Sequence, residues 1–247
     1  MRAVALRYAP LLLLAALWEA APRLGLVDAE TLPPLSAVAR ALVGLAADGS
    51  LALNGWSSLR NLAAGLGLGI AVGAALGLTM AWYRPMEIVF NPLVRILYPL
   101  PRSALIPVMI LWFGLGAKSK IAAVFLGSLL PVVLGAFNGA RGVEPVLIWS
   151  ALAAGTSRRA ALWEVVLPAA MPEILAGIRN ALALSFILLV ASEFLIGQRG
   201  MGYLISFLGE GGNYDGMFAG VLVVSLVGFL ADRLYLGLMG WALRWRE

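Results

Sequence analysis

Two charges stand where an apolar chain should carry none. Arg102 lies roughly 16 residues into the apolar run 86–113, and Glu193 about 19 residues into the run 174–196. A charge inside a bilayer is costly, so such side chains pair or line a route for ions or solutes. At ~1.5 Å per residue both fall in the far half of their helices. Three readings stand for them: an ion pair with each other, contact with an anionic solute, or local pairing with backbone and loop groups. Other chemistry is scarce. There is no histidine and no cysteine, which excludes a Ser-His-Asp triad, histidine or thiolate metal sites, disulfides and thiol nucleophiles. No paired carboxylates occur at a suggestive spacing within the apolar runs, so an integral-membrane enzyme is disfavoured. The segment Gly114-Leu-Gly-Ala-Lys118-Ser119 resembles a phosphate loop but lacks the glycine before the lysine and any strand context. The chain is therefore expected to bind no metal, no cofactor and no ATP of its own.

The elements that must position these charges follow from composition. Of 247 residues, 62% are hydrophobic and 13% charged, and mean hydropathy is +0.92. Soluble domains carry about 45–50% apolar and about 25% charged residues. A spanning helix takes ~20 apolar residues, so the expectation is an all-α polytopic membrane protein of about six spans, one membrane domain over 1–247 with its core at about 55–245. The spans are expected near 6–21, 58–82, 86–113, 121–140, 174–196 and 217–241. The first run also resembles a signal peptide, but Trp18 and Glu19 suit a cleavage region poorly. Pro33-Pro34-Leu35-Ser36 suggests a turn with Ser36 as N-cap of a short amphipathic helix carrying Val38, Ala41, Leu42 and Leu45. Residues 197–216, with Arg199, Glu210 and Asp215, read as an outer loop. In the second span Gly65, Gly69, Gly73 and Gly77 recur every four residues and make a stripe on which a neighbouring helix can pack closely. Pro92, Pro99, Pro101 and Pro107 interrupt the third. Proline removes a backbone donor, and lipid tolerates the freed carbonyls only beside protein or a wet cavity, so this span should face other helices or a pathway.

Six spans put both termini on one side. Arg2, Arg7, Arg84, Arg141, Arg158, Arg159, Arg244 and Arg246 then face the cytoplasm, against Arg23, Arg40, Lys118, Lys120 and Arg199 outside. That modest excess agrees with the positive-inside rule. It also accounts for the net charge of +5 without nucleic-acid binding. The loop 141–172 is then cytoplasmic and reads as two short helices. Val146–Ala154 is apolar and Gly155 caps its end; Thr156 or Ser157 starts a second helix through Arg158, Arg159, Trp163 and Glu164 that stops before Pro168. An apolar helix on the wet side needs a partner surface, or else lies flat at the lipid interface.

This loop resembles the hallmark of permease subunits of binding-protein-dependent ABC importers: Glu-Ala-Ala, three residues, Gly, nine residues, Ile, one residue, Leu-Pro. Here Trp149-Ser150-Ala151, Gly155 and Val165-Val166-Leu167-Pro168 stand in that register. Trp149 and Ser150 depart from the pattern. Leu105-Ile-Pro-Val-Met-Ile-Leu-Trp-Phe-Gly-Leu-Gly116, Leu167-Pro-Ala-Ala-Met-Pro172 with Gly177, Ser192-Glu193, Gly200-Met-Gly-Tyr-Leu204 and Asp232-Arg233 resemble the sulfonate, taurine and nitrate branch. The resemblance covers roughly residues 5–246. It implies a type I importer permease in a bacterial inner membrane, both termini cytoplasmic, that takes up a small anionic solute delivered by an external binding protein. It also implies a second permease copy, and a separate ABC ATPase dimer that binds ATP and magnesium. Trp149, Ser150, Ala151, Gly155, Arg158, Arg159, Leu167 and Pro168 would form the ATPase-coupling segment, and Arg102 and Glu193 the candidate pathway charges. A thiamine-precursor pyrimidine is the alternative solute. A stand-alone secondary transporter is less favoured, since no clear internal repeat is visible.

Overall fold

The computed structural model describes residues 2–246, with side chains for 9–195 and 197–245. Helix is the only regular structure among them. In chain order the helices are α1 (Arg2–Arg23), α2 (Leu35–Ala47), α3 (Ser50–Trp82), α4 (Arg84–Leu97), α5 (Ile106–Phe113), α6 (Ala117–Arg141), α7 (Pro145–Ala153), α8 (Arg158–Ala161), α9 (Leu167–Ile196), α10 (Met201–Glu210) and α11 (Tyr214–Ala242). Among the described residues α3, α6, the continuous run Arg158–Leu195 and α11 are each long and apolar enough to cross a membrane. The third expected span is broken. α4 and the segment Arg102–Phe113 meet the test only as a pair, bent by 97°, which makes up to five spans. Pro99 and Pro101 sit in the break and withhold two amide donors from any continuous helix. The first expected span, 6–21, lies in α1, and its side chains before residue 9 are outside the described residues.

Three local expectations change. Ser36 does not cap α2: Pro34 holds that position, and the Ser36 N–H donates instead to Glu19 Oε2 at 2.9 Å. α3 starts eight residues ahead of the expected span, at Ser50, whose N–H donates to Asp48 Oδ1 at 2.8 Å. That bond holds the Asp48 carboxyl below the usual carboxylate range. The expected outer loop contains a ten-residue helix, α10, with Met201, Leu204, Ile205 and Leu208 buried.

The chain forms two compact units. One runs up to Ser58 and adds Glu193–Val227; the other comprises Leu59–Ser192 and the chain from Gly228 onward. In the first, Met201, Leu204 and Leu208 of α10 make the core with Leu45, Leu51, Met217, Val223 and Val224. Trp18 ties α1 in: its Nε1–H donates to the Pro33 carbonyl at 2.9 Å, and its ring meets Phe218 edge-on at 6.0 Å.

In the second unit α6 is gripped on two sides. A Cβ at Gly65 would lie 2.6 Å from Val124 Cβ, one at Gly73 2.9 Å from Val132 Cβ, and one at Gly77 2.7 Å from Ala136 Cβ; one at Gly69 would collide with the Ser128 hydroxyl. On the other side Gly135 and Gly177 bring α6 and α9 into backbone contact, with 2.9 Å between a Cβ at Gly135 and Gly177 Cα. Lipid gives helices no hydrophobic reason to associate, so close backbone approach supplies the dispersion contacts instead. Polar ties add to this. Arg141 pairs with Glu87, Arg179 makes a two-pronged pair with Asp232 at 2.7 and 3.0 Å, and the Tyr235 hydroxyl donates to the Leu175 carbonyl at 2.7 Å.

Candidate functional site

The segment between α6 and α9 is built to hold a short apolar helix outward. Pro145 opens α7 at a position where its missing N–H costs nothing. Gly155 closes it with φ +89, and the Thr156 N–H reaches back to the Ala151 carbonyl at 3.0 Å. Nothing lies within 4 Å of a Cβ placed on Gly155, so glycine is required there for its left-handed backbone and not for space. Ser157 then caps α8, accepting the Ala160 N–H at 3.2 Å. The Arg158 guanidinium lies 5.9 Å above the Trp82 ring, while Arg159 is exposed.

The expected stop before Pro168 does not occur. α8 passes through a π-turn, Leu162–Val166, directly into α9, and the Leu167 N–H donates to the Leu162 carbonyl. The wider turn lets a helix absorb a register change at the residue before a proline whose ring would crowd an ordinary turn. One face of this stretch is anchored: Leu162, Val166 and Ala170 are buried with Leu78, Ala136, Ala140, Val143 and Ile174, and Ile148 and Leu167 pack against them. The other face is not. Trp149 is 68% exposed, and Val146, Leu147, Leu152 and Trp163 are exposed with it. Ser150 is exposed; Ala151 and Pro168 are half-buried.

A second feature is a cavity of about 870 Å³ in the same unit. Tyr98, Arg102, Asn138, Glu173 and Asn180 bring polarity to it, and Leu184, Ile187 and Leu188 are apolar lining. Arg102 Nε is buried and has no hydrogen-bond partner among the described residues. The break in the third span delivers Tyr98 and Arg102 to this wall.

Glu193 belongs to the first unit and is wholly buried. Its Oε2 accepts the Ser58 hydroxyl at 2.7 Å and the Gly202 N–H at 3.2 Å. Ser58 Oγ in turn accepts the Met201 N–H at 2.8 Å, and Asn54 Oδ1 accepts the Gly200 N–H at 2.9 Å.

Residues 65–238 match the family described as the inner membrane component of binding-protein-dependent transport systems. The chain belongs to that family. It is 33% identical over 236 residues to the taurine transport system permease protein TauC of Escherichia coli, covering 94% of this chain and 86% of that one. It is 32% identical to a putative aliphatic sulfonates transport permease, SsuC of Bacillus subtilis, covering 94% and 84%. In fold it is similar to a chain of the MetNI methionine ABC transporter in an inward-facing form, with a TM-score of 0.66 at 18% identity, over 76% of this chain and 94% of that one. The protein is thus a multi-pass transport permease of type I importer fold.

Within this permease the eight loop residues singled out in the sequence lie on one segment, 149–168, split between an exposed face and an anchored one. Arg102 opens onto the cavity, and Glu193 is tied to backbone and hydroxyl groups. Sequence reasoning missed Asn138, Glu173 and Asn180. The signal was present: Glu173, Gly177 and Asn180 fall four and three residues apart on α9, one helical face. It also missed Asn54 and Ser58, which lie 146 and 143 residues from the amides they accept.

Proposed function

We propose that this permease is the membrane subunit of an ATP-driven importer for a small anionic solute of the sulfonate or taurine type. An external binding protein delivers the solute. A second copy of the chain completes the route, and a separate cytoplasmic ABC ATPase dimer binds ATP and magnesium and does the hydrolysis. The permease itself carries no catalytic group. It sits in the bacterial inner membrane, α1 serving as the sixth span, with both termini and α7 on the cytoplasmic side.

The observation that carries this reading is α7. It contains no charged residue from Pro145 to Ala153, yet turns Val146, Leu147, Trp149 and Leu152 outward. A helix lying in the lipid interface normally presents a strongly charged face, and α7 has none. Covering large apolar side chains gives about 1.5–3 kcal/mol each, so a protein groove is the favoured cover. Trp149, Ser150 and Ala151 would seat in it. Gly155 sets the exit angle, Arg158 and Arg159 flank the contact, and Leu167 and Pro168 join it to α9. Because Arg158–Leu195 is one helix, a push on α7 reaches the length of the span. The buried Arg102 Nε, without a hydrogen-bond partner among the described residues, beside a polar-walled cavity suits an oxyanion and favours an anionic solute over a neutral pyrimidine.

The test is uptake of radiolabelled taurine and of an alkyl sulfonate by the complex reconstituted in vesicles. Gly155→Arg has room for its side chain, so the complex should assemble with only the backbone penalty of about 1–2 kcal/mol while ATP-dependent uptake falls at least tenfold. Normal uptake with Gly155→Arg would remove the coupling role. Arg102→Gln should raise the KM for the sulfonate on the order of tenfold, the weight of one hydrogen bond to a charged group, and leave uncoupled ATP hydrolysis unaltered.

A further inference from the structure

The Glu193 cluster is a helix cap assembled from distant parts of the chain. The first amides of α10 need acceptors that its own carbonyls cannot provide. Local sequence offers none: the N-cap is Gly200, which has no side chain, and no cap bond comes from a neighbour. The acceptors come instead from α3 and α9. Asn54 takes the Gly200 N–H, Ser58 takes that of Met201, and Glu193 takes that of Gly202. The Ser58 hydroxyl is relayed, accepting from Met201 while donating to the carboxylate at 2.7 Å. A carboxylate at this place also meets the positive end of the helix dipole.

The turn entering α10 is closed over the carboxyl. Gly200 has φ +123, and a Cβ there would fall on the Glu193 carboxyl group; a Cβ at Gly197 would run into Tyr203 and the Glu193 carbonyl. Beyond this cluster α10 is held by the apolar contacts of Met201, Leu204 and Leu208. α3 and α9 both leave this unit at the cluster itself, between Ser58 and Leu59 and between Ser192 and Glu193.

We infer that Glu193 is a positioning residue that latches α10 to the ends of α3 and α9, so that α10 travels with those spans during the transport cycle. The coupling segment then leads into one end of a continuous helix, Arg158–Leu195, and the latch holds its other end. The dependence on movement rests on the importer reading; the latch itself does not. α10 becomes the output of the stroke that α7 receives.

Two readouts separate those layers. The first is amide exchange at Met201 and Gly202 in the full permease purified with its partner subunits, without nucleotide. Ser58→Ala should speed exchange there on the order of tenfold, the equilibrium weight of a hydrogen bond in a charged network. Ser58→Thr, which restores a hydroxyl, should return it toward the native rate. Glu193→Ala should exceed Ser58→Ala; if it fails to assemble, the serine pair still carries the test. The second uses the natural absence of cysteine. A single Gly211→Cys, in the exposed turn after α10, is labelled with a maleimide with and without ATP and vanadate. Labelling that depends on nucleotide in this background, and loses that dependence at least threefold with Ser58→Ala, supports the latch as part of the cycle. Unchanged exchange in Ser58→Ala overturns the latch. Changed exchange with no nucleotide effect in the parent keeps the latch and overturns its place in the cycle; the importer reading itself falls only if the same complex shows no ATP-dependent uptake.

Discussion

The two ends of the long helix from Arg158 to Leu195 are built on opposite principles. At the α7–α8 end large apolar side chains face outward, and among the described residues the side-chain hydrogen bond is the Ser157 cap. At the Glu193 end a charge is wholly buried and its neighbours are held by four hydrogen bonds, three of them between residues at least 135 apart in sequence. A surface left apolar is suited to a partner; a polar cluster hydrogen-bonded between its own elements is suited to holding them in one arrangement. The same span thus offers an input that has to be completed from outside and an output completed within the chain.

The glycines at the two ends give the sharpest contrast. Gly155 and Gly200 both have positive φ, but only Gly200 has a neighbour in the way. Gly200→Ala should therefore produce the largest stability loss, about 3 kcal/mol or more, because it displaces a buried charge from its partners as well as straining the backbone. Thermal unfolding of the purified permease reads this directly. Gly155→Ala should cost only about 1–2 kcal/mol, the conformational penalty alone. Equal losses at the two sites would erase the distinction drawn between them. Ser157→Ala should have the smallest effect, about 1 kcal/mol for a lost N-cap, seen as faster amide exchange at Arg159 and Ala160 with no change at Met201. A spread of that effect to α10 amides would show that the two ends are not separately held.

Much of the input end was legible in the sequence. Local rules place α7 at Val146–Ala154 with Gly155 at its exit, and it runs Pro145–Ala153. The prolines at 99 and 101 marked a break, although not that it would bend the chain by 97° and carry Arg102 to a cavity wall. Pro168 was misleading for a physical reason. A proline stops a regular helix, but the π-turn ahead of it lets the helix continue, and that turn depends on the burial of Leu162 and Val166. The output end was hidden because its logic is nonlocal. Residues 201–210 lie in a stretch framed by charge and glycine, which reads as loop. They are helical because they bury apolar residues and receive caps from Asn54, Ser58 and Glu193.

The most direct test of the account is where α7 lies and what covers it. Ser150→Cys places a lone thiol on its exposed face. With a membrane-impermeant maleimide it should react in inside-out vesicles and not in intact cells, and adding the partner ATPase should protect it. Reaction from the outside of intact cells, or equal reaction with and without the ATPase, would contradict the claim that force enters this permease through α7.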